Sequence, residues 1–178
     1  MDGSDDTGSK MWLPGPALDC YEGNAALRGW LRTPGLLTQR IRESAGEGFR
    51  MTLVAETTDG DGGHRREIEM GCGTTPWMFA RTRVPRATVE RHPWLARIGT
   101  TTLGEALQAH GPITRSEFDY AKLYDDVDVV RRALERAALP SQPVWVRRST
   151  FHVDASPLTL LEVFLPQIGL PQVGSPGP

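Results

Sequence analysis

The stretch that most constrains this chain is Pro157-Leu-Thr-Leu-Leu-Glu-Val-Phe-Leu-Pro166. Two prolines bracket eight residues, a normal length for a strand and a short one for a helix. Side chains alternate along a strand, so Leu158, Leu160, Glu162 and Phe164 share one face, and Thr159, Leu161, Val163 and Leu165 the other. A strand apolar on both faces is covered on both sides. Glu162 breaks the pattern. An ionised carboxylate left there without a partner costs several kcal/mol, so it is paired with a cation, protonated, or open to a polar cavity. A structural ion pair is the plain reading, and a functional group is the other.

At 178 residues the chain is long enough for one domain with a substantial core. Lys and Arg number 20 against 22 Asp and Glu, a net charge of -2 that gives no attraction to nucleic acid or to an anionic membrane. Most of the basic residues are arginine, which suits fixed carboxylate contacts. Two cysteines, Cys20 and Cys72, fit a reducing compartment and cannot build a disulfide framework or a four-cysteine zinc site. Residues 1–10 lack the layout of a signal peptide, and no apolar run is long enough to span a bilayer. A soluble cytoplasmic protein without stable membrane insertion is expected.

Composition divides the chain into a disordered or extended segment at 1–17, a domain at 18–170 and a disordered Gly/Pro tail at 171–178. Asn24 can cap a helix over Ala25–Leu31; Thr33-Pro34-Gly35 ends it, and a second short helix over Leu36–Glu43 completes a hairpin suited to a wall or lid. Three strands follow at Phe49–Glu56, Arg65–Cys72 and Trp77–Val84, joined by short turns into an antiparallel meander. Ala87–Ile98 is helical with an interruption at Pro93, and Thr102-Leu-Gly-Glu105 has capping-box spacing for a helix to His110. Ile113–Leu123 is a weaker strand, Asp125–Leu139 a helix, and Val144–Val153 the strand that turns into that of Glu162. The sum is an α+β domain with a mainly antiparallel sheet of six strands.

Most motifs fail on inspection. Asp59-Gly-Asp-Gly-Gly63 begins like a calcium loop, but His64 stands at the glycine place and Met70 at the closing acid, so it reads as a turn. His64, His92, His110 and His152 do not pair at metal-ligand spacing, and no nucleophile elbow, phosphate loop or dinucleotide fingerprint is present. What survives is a set of charges aimed inward from different strands: Glu162, Arg66 in line with Ile68 and Met70, Arg81, and one of Arg147 and Arg148. Several arginines and a carboxylate on an apolar sheet face suit a small anionic ligand, with a structural ion-pair network as the alternative.

Those residues fall in blocks that resemble the chorismate pyruvate-lyases of the ubiquinone pathway. The blocks are Arg66-Glu-Ile68, Pro76-Trp77 through Ala80-Arg81-Thr82 to Val84-Pro85, Gly99-Thr-Thr-Thr-Leu-Gly104, Arg147-Arg148-Ser149 and Leu161-Glu162-Val-Phe-Leu-Pro166. A fainter match is Trp30-Leu31 with Leu37-Thr38-Gln39-Arg40, and the order and spacing agree from Leu27 to Pro166. The resemblance implies a monomeric enzyme, free of cofactor and metal, that converts chorismate to 4-hydroxybenzoate and pyruvate. It implies a six-stranded antiparallel sheet with helical flaps over a buried site. In that site Arg66 would hold the ring carboxylate, Glu162 would contact the 4-oxygen, Leu37 and Leu103 would line the pocket, and Arg81 would take the enolpyruvyl carboxylate. The chain departs from the family in a short 57–64 link and in the 125–139 helix, which resembles an insertion. The rivals are an effector-binding domain of the same fold without chemistry, a chorismate enzyme giving another hydroxybenzoate, and an inactive relative.

Overall fold

The computed structural model describes residues 10–20, 25–35 and 37–170. Its elements run β1 Leu13–Pro14, α1 Ala25–Leu31, α2 Leu37–Ala45, β2 Phe49–Thr58, β3 His64–Cys72, β4 Thr75–Val84, α3 Arg86–Arg91, α4 Leu103–Gln108, β5 Ile113–Arg115, β6 Asp119–Leu123, α5 Asp128–Arg136, β7 Val144–Val153 and β8 Ser156–Phe164. The strands form one antiparallel sheet in the order β1-β6-β7-β8-β4-β3-β2, with β5 paired to β7.

Among the described residues the sheet has eight strands where six were expected. The expected Ile113–Leu123 strand is broken at Ser116–Phe118, so β5 pairs with the Phe151–Val153 end of β7 and β6 with its Val144–Arg148 end. The other addition is Leu13–Pro14, which pairs with Tyr120 and Asp119 of β6. Residues 10–17, expected outside the domain, thus supply an edge strand. Residues 1–9, the 171–178 tail and the proposed cap Asn24 lie outside the described residues.

β8 is central and covered on both sides, as its composition requires. Leu161, Val163 and Leu165 pack with Phe79, Val146 and the α5 residues Val130 and Leu134. On the opposite face Phe164 joins Ile68, Met70 and Met78 beneath Leu31 of α1 and Leu37 and Ile41 of α2. Leu158 joins a third cluster with Val84, Leu95, Leu107 and Phe151. The helical hairpin α1–α2 therefore lies over one face and α5 over the other.

Local chemistry sets the connections. Thr102 Oγ1 accepts from Glu105 N while the Glu105 carboxylate accepts from Thr102 N, a complete capping box at the start of α4. The Asp59–Gly63 segment is a turn, closed by Asp59 N to Gly63 O at 2.8 Å and Gly63 N to Asp61 Oδ1 at 2.9 Å. The β3–β4 hairpin begins with Cys72 opposite Thr75 and Gly71 opposite Pro76, but Met70 lies opposite Met78, leaving Trp77 as the extra residue of a bulge. A Cβ on Gly71 would sit 2.1 Å from the Thr75 carbonyl oxygen, so the bulge closes only around glycine. Gly71→Ala is expected to lower the unfolding free energy by about 1–3 kcal/mol, the cost of overpacking, in a urea titration. An unchanged midpoint would show that the bulge tolerates a Cβ.

Candidate ligand site

The face of the sheet beneath α1–α2 carries a cavity with about 510 Å³ of empty space, its mouth included. Its floor follows from register. Arg66 of β3 lies opposite Thr82 of β4, and Thr82 opposite Leu160 of β8. One step along, Ile68, Ala80, Glu162, Arg147 and Tyr120 form a row across five strands. Arg115 lies opposite Phe151 of β7. Gly35, Leu37 and Thr38 of the hairpin and Leu103 and Gly104 at the start of α4 form the walls. Arg66 and Glu162 stand two strands apart and one step displaced. That puts their Cα atoms about 12 Å from each other.

Arg66 is 2% exposed, yet its hydrogen bonds all go to backbone carbonyls: Nε and Nη2 to Gly99 O at 2.9 and 2.8 Å, and Nη2 to Thr101 O at 2.7 Å. Among the described residues no carboxylate is in ion-pair contact with it. Burial pushes its pKa down from the ordinary value, and the field of Glu56 offsets part of that. Glu56 itself accepts from Gly99 N at 3.3 Å and lies 3.4 Å from His64 Nε2. A buried guanidinium held by neutral acceptors, at the wall of a cavity, is a place prepared for an anion.

Glu162 is 4% exposed and is paired. Arg147 donates to it through Nε at 2.7 Å and Nη2 at 3.0 Å, a bidentate contact that leaves each carboxylate oxygen further accepting capacity toward the cavity. The remaining nitrogen of Arg147, Nη1, donates to Leu31 O and Thr33 O, both at 3.0 Å. Those carbonyls lie at the C-terminal end of α1, where a helix leaves acceptors unmet. Tyr120 Oη adds a bond to Leu31 O at 3.2 Å. Of the states open to Glu162 on paper, the structure has it both ion-paired and facing a cavity.

Arg81 is elsewhere. The bulge at Trp77 shifts the register by one, and a one-residue shift sends a side chain to the opposite face. Without it Arg81 would lie opposite Arg66. With it, Arg81 lies opposite Glu67 beneath α5, donating to Glu67 Oε1 at 2.8 Å through Nε and to Asp128 Oδ2 at 2.5 Å. Arg132 of α5 holds the other Glu67 oxygen at 2.6 Å. The assignment of Arg81 to a substrate carboxylate is corrected on this ground: it is part of the ion network that seats α5. Asp128 belongs to that network. Burial alone would raise its pKa, but the bonds from Arg81 and the fields of Arg131 and Arg132 bring it below the ordinary value. A depressed folded-state pKa contributes stability that is present above the unfolded value and is lost in acid, as pH falls through the folded one.

Leu37, Arg66, Leu103 and Glu162, singled out from sequence, line one cavity. Arg115, Met70, Met78 and Phe151 line it too and were not singled out. Arg115 donates through Nη1 to Gly35 O at 2.9 Å, and its guanidinium lies 4.3 Å from the Phe118 ring centre. Its signal in the sequence was a lone arginine in a weak strand.

Sheet, paired helices and a cavity lined, among the described residues, by two arginines and one glutamate define the class, an α+β domain with a charged pocket between sheet and helices. The chain matches the family model described as chorismate lyase over residues 9–172, and it belongs to that family. It is 31% identical over 177 residues to a probable chorismate pyruvate-lyase of Thiobacillus denitrificans, covering 90% of this chain and 91% of that one. A probable chorismate pyruvate-lyase of Coxiella burnetii is 28% identical over 175 residues, covering 90% and 94%. Among solved structures, the effector domain of PhnF from Mycobacterium smegmatis superposes with a TM-score of 0.51 at 13% identity, over 75% of this chain and 90% of that domain. The C-terminal domain of the histidine utilization repressor from Pseudomonas syringae gives 0.50 at 9% identity, over 73% and 99%. At those identities the likeness concerns the fold alone.

Arg81→Met is expected to cost about 3 kcal/mol of stability, the lower end for breaking a buried pair, because Arg132 still holds Glu67. Ligand affinity of the folded variant should stay within a factor of about two by calorimetry. A large selective loss of affinity would return Arg81 to the site.

Proposed function

We propose that the chain is a chorismate pyruvate-lyase, converting chorismate to 4-hydroxybenzoate and pyruvate. The observation that carries this reading is Arg66, a buried cation whose hydrogen-bond partners among the described residues are neutral carbonyls, lining one cavity with the carboxylate of Glu162. Chorismate offers the complement: a ring carboxylate for Arg66 and, para to it, a 4-hydroxyl that donates to Glu162. Arg147 acts as a positioning residue, holding both Glu162 oxygens in a fixed plane.

The reaction balances within the substrate. Hydrogen leaves C4, the C3–O bond breaks with its electron pair going to oxygen, and a C3=C4 double bond completes the aromatic ring. A proton reaches the enolpyruvyl methylene, whose collapse gives pyruvate. No electrons enter or leave the pair of products, so the overall change calls for no redox partner. As the C3–O bond stretches, positive charge grows on the ring and negative charge on the departing oxygen. The Glu162 carboxylate beside the 4-hydroxyl stabilises the first, fixed in place before the reaction starts. With this reading go a cytoplasmic, monomeric enzyme and a product that feeds the ring of ubiquinone.

Purified protein incubated with chorismate should release 4-hydroxybenzoate and pyruvate in equal amounts by chromatography. Glu162→Gln should lower kcat by about 10²-fold or more at a temperature where circular dichroism shows it folded. Arg66→Ala should weaken both chorismate and 4-hydroxybenzoate. The second reading, a non-catalytic acid-binding domain, is favoured by the effector-domain fold; tight 4-hydroxybenzoate binding with no pyruvate would establish it. A different hydroxybenzoate as product would keep the substrate and discard this account of Glu162.

A further inference from the structure

Charge on the cavity side of the sheet does not balance. Three guanidinium groups, Arg66, Arg115 and Arg147, meet one lining carboxylate, Glu162, and Arg147 is spent on it through two hydrogen bonds. Glu56 reaches Arg66 through space without an ion-pair contact. Among the described residues Arg115 has no carboxylate in ion-pair contact, and its hydrogen bond goes to the neutral carbonyl of Gly35. Its guanidinium is held in place by aromatic rings, Phe118 at 4.3 Å and Phe151 at 5.7 Å, and Phe118 also lies 4.0 Å from Arg147. Burial, and then the nearby positive charge of Arg147, push the pKa of Arg115 down, and the fields of Glu162 and Glu117 offset part of that. An anion beside it would favour the charged state further.

We infer that Arg115 is the second carboxylate-binding residue of the cavity and determines specificity for a dianion over a monoanion. This rests on the chorismate reading and deepens it, giving the enolpyruvyl carboxylate the partner that Arg81, on the far face, cannot be. The position suits the task. Arg66 stands on β3 and Arg115 on β5, with β4, β8 and β7 between them, so two carboxylates on one ring are taken from different strands. Gly35 lies between α1 and α2, so the same guanidinium also touches the lid. The carboxylate at Arg115 is the one that leaves with pyruvate. Substrate therefore gains from Arg115 an interaction that the aromatic product does not have.

The test uses two ligands that are not turned over, so that it stands apart from the activity assay: 4-hydroxybenzoate, a monoanion, and 3-(carboxymethoxy)-4-hydroxybenzoate, a dicarboxylate with the second acid in an ether at the ring position of the enolpyruvyl group. Kd values are measured by calorimetry for wild type, Arg115→Gln and Arg115→Lys. Arg115→Gln is expected to weaken the dicarboxylate about 10- to 100-fold, as for a lost charge-assisted contact, while the Kd for 4-hydroxybenzoate moves less than about threefold. Arg115→Lys should restore part of the loss. An equal loss for both ligands would mean that Arg115 serves only to hold the lid through Gly35, and would overturn the inference, as would no loss for either. Failure of wild type to turn over chorismate would sink the lyase reading while leaving this ratio to decide Arg115.

Discussion

The pairing of Arg147 with Glu162 is the contact on which the rest of the architecture turns. It sits in a row across five strands and uses every donor nitrogen of Arg147: two on the carboxylate and one on the carbonyls of Leu31, which ends α1, and Thr33 just beyond it. Burying either charge alone costs several kcal/mol, so each requires the other. The arrangement also removes a second problem, the unmet acceptors at the end of a short helix. One side chain thus joins sheet centre, site carboxylate and lid. Moving α1 away exposes or strands the Arg147 donors, and altering Glu162 disturbs the seat of α1. Stability and site geometry share the same bonds.

The two faces of the sheet use charge differently. Beneath α5, Glu67 is held by Arg81 and Arg132, with Asp128 on the far side of Arg81, so the carboxylates and guanidiniums are matched with each other. Beneath α1–α2, Arg66 and Arg115 rest on carbonyls. A matched network is what a structural role looks like, and mismatch at a cavity wall is what a binding role looks like. The bulge at Trp77 separates the two, since it decides on which face Arg81 falls.

Much of the scaffold was legible because period and punctuation were strong. The 157–166 run, the capping box at Thr102 and Glu105, the amphipathic stretch that becomes α5, and the alternation that puts Arg66 with Ile68 and Met70 each carry a local signal that packing reinforces. What was not legible is non-local. Leu13–Pro14 pairs only because β6 presents an edge, and two residues carry no periodicity. Arg81 was misplaced because its face depends on one extra residue in a hairpin whose glycine gives no notice of a bulge. Arg115 was missed because its strand is three residues long and its partners come from Gly35 and Phe118, distant or irregular in the chain.

The fold is shared with the PhnF effector domain and the C-terminal domain of the histidine utilization repressor, and a fold does not choose chemistry. In this chain the cavity combines a buried arginine, Arg66, with a buried carboxylate, Glu162. A site meant only to hold an aromatic acid needs one cation for the carboxylate and apolar walls, which Arg66, Met70 and Phe151 supply. A buried carboxylate facing the ligand adds to such a site only a contact to a ring hydroxyl, and it must be brought in together with Arg147 with both desolvated. Such a cost is repaid where charge develops during a reaction, since a preorganised carboxylate acts most strongly on a transition state that carries more positive charge than the ground state. On the proposed lyase reading Glu162 would meet that charge at the end of the ring away from Arg66, and the ion pair at the centre of the sheet would then be more than a strut.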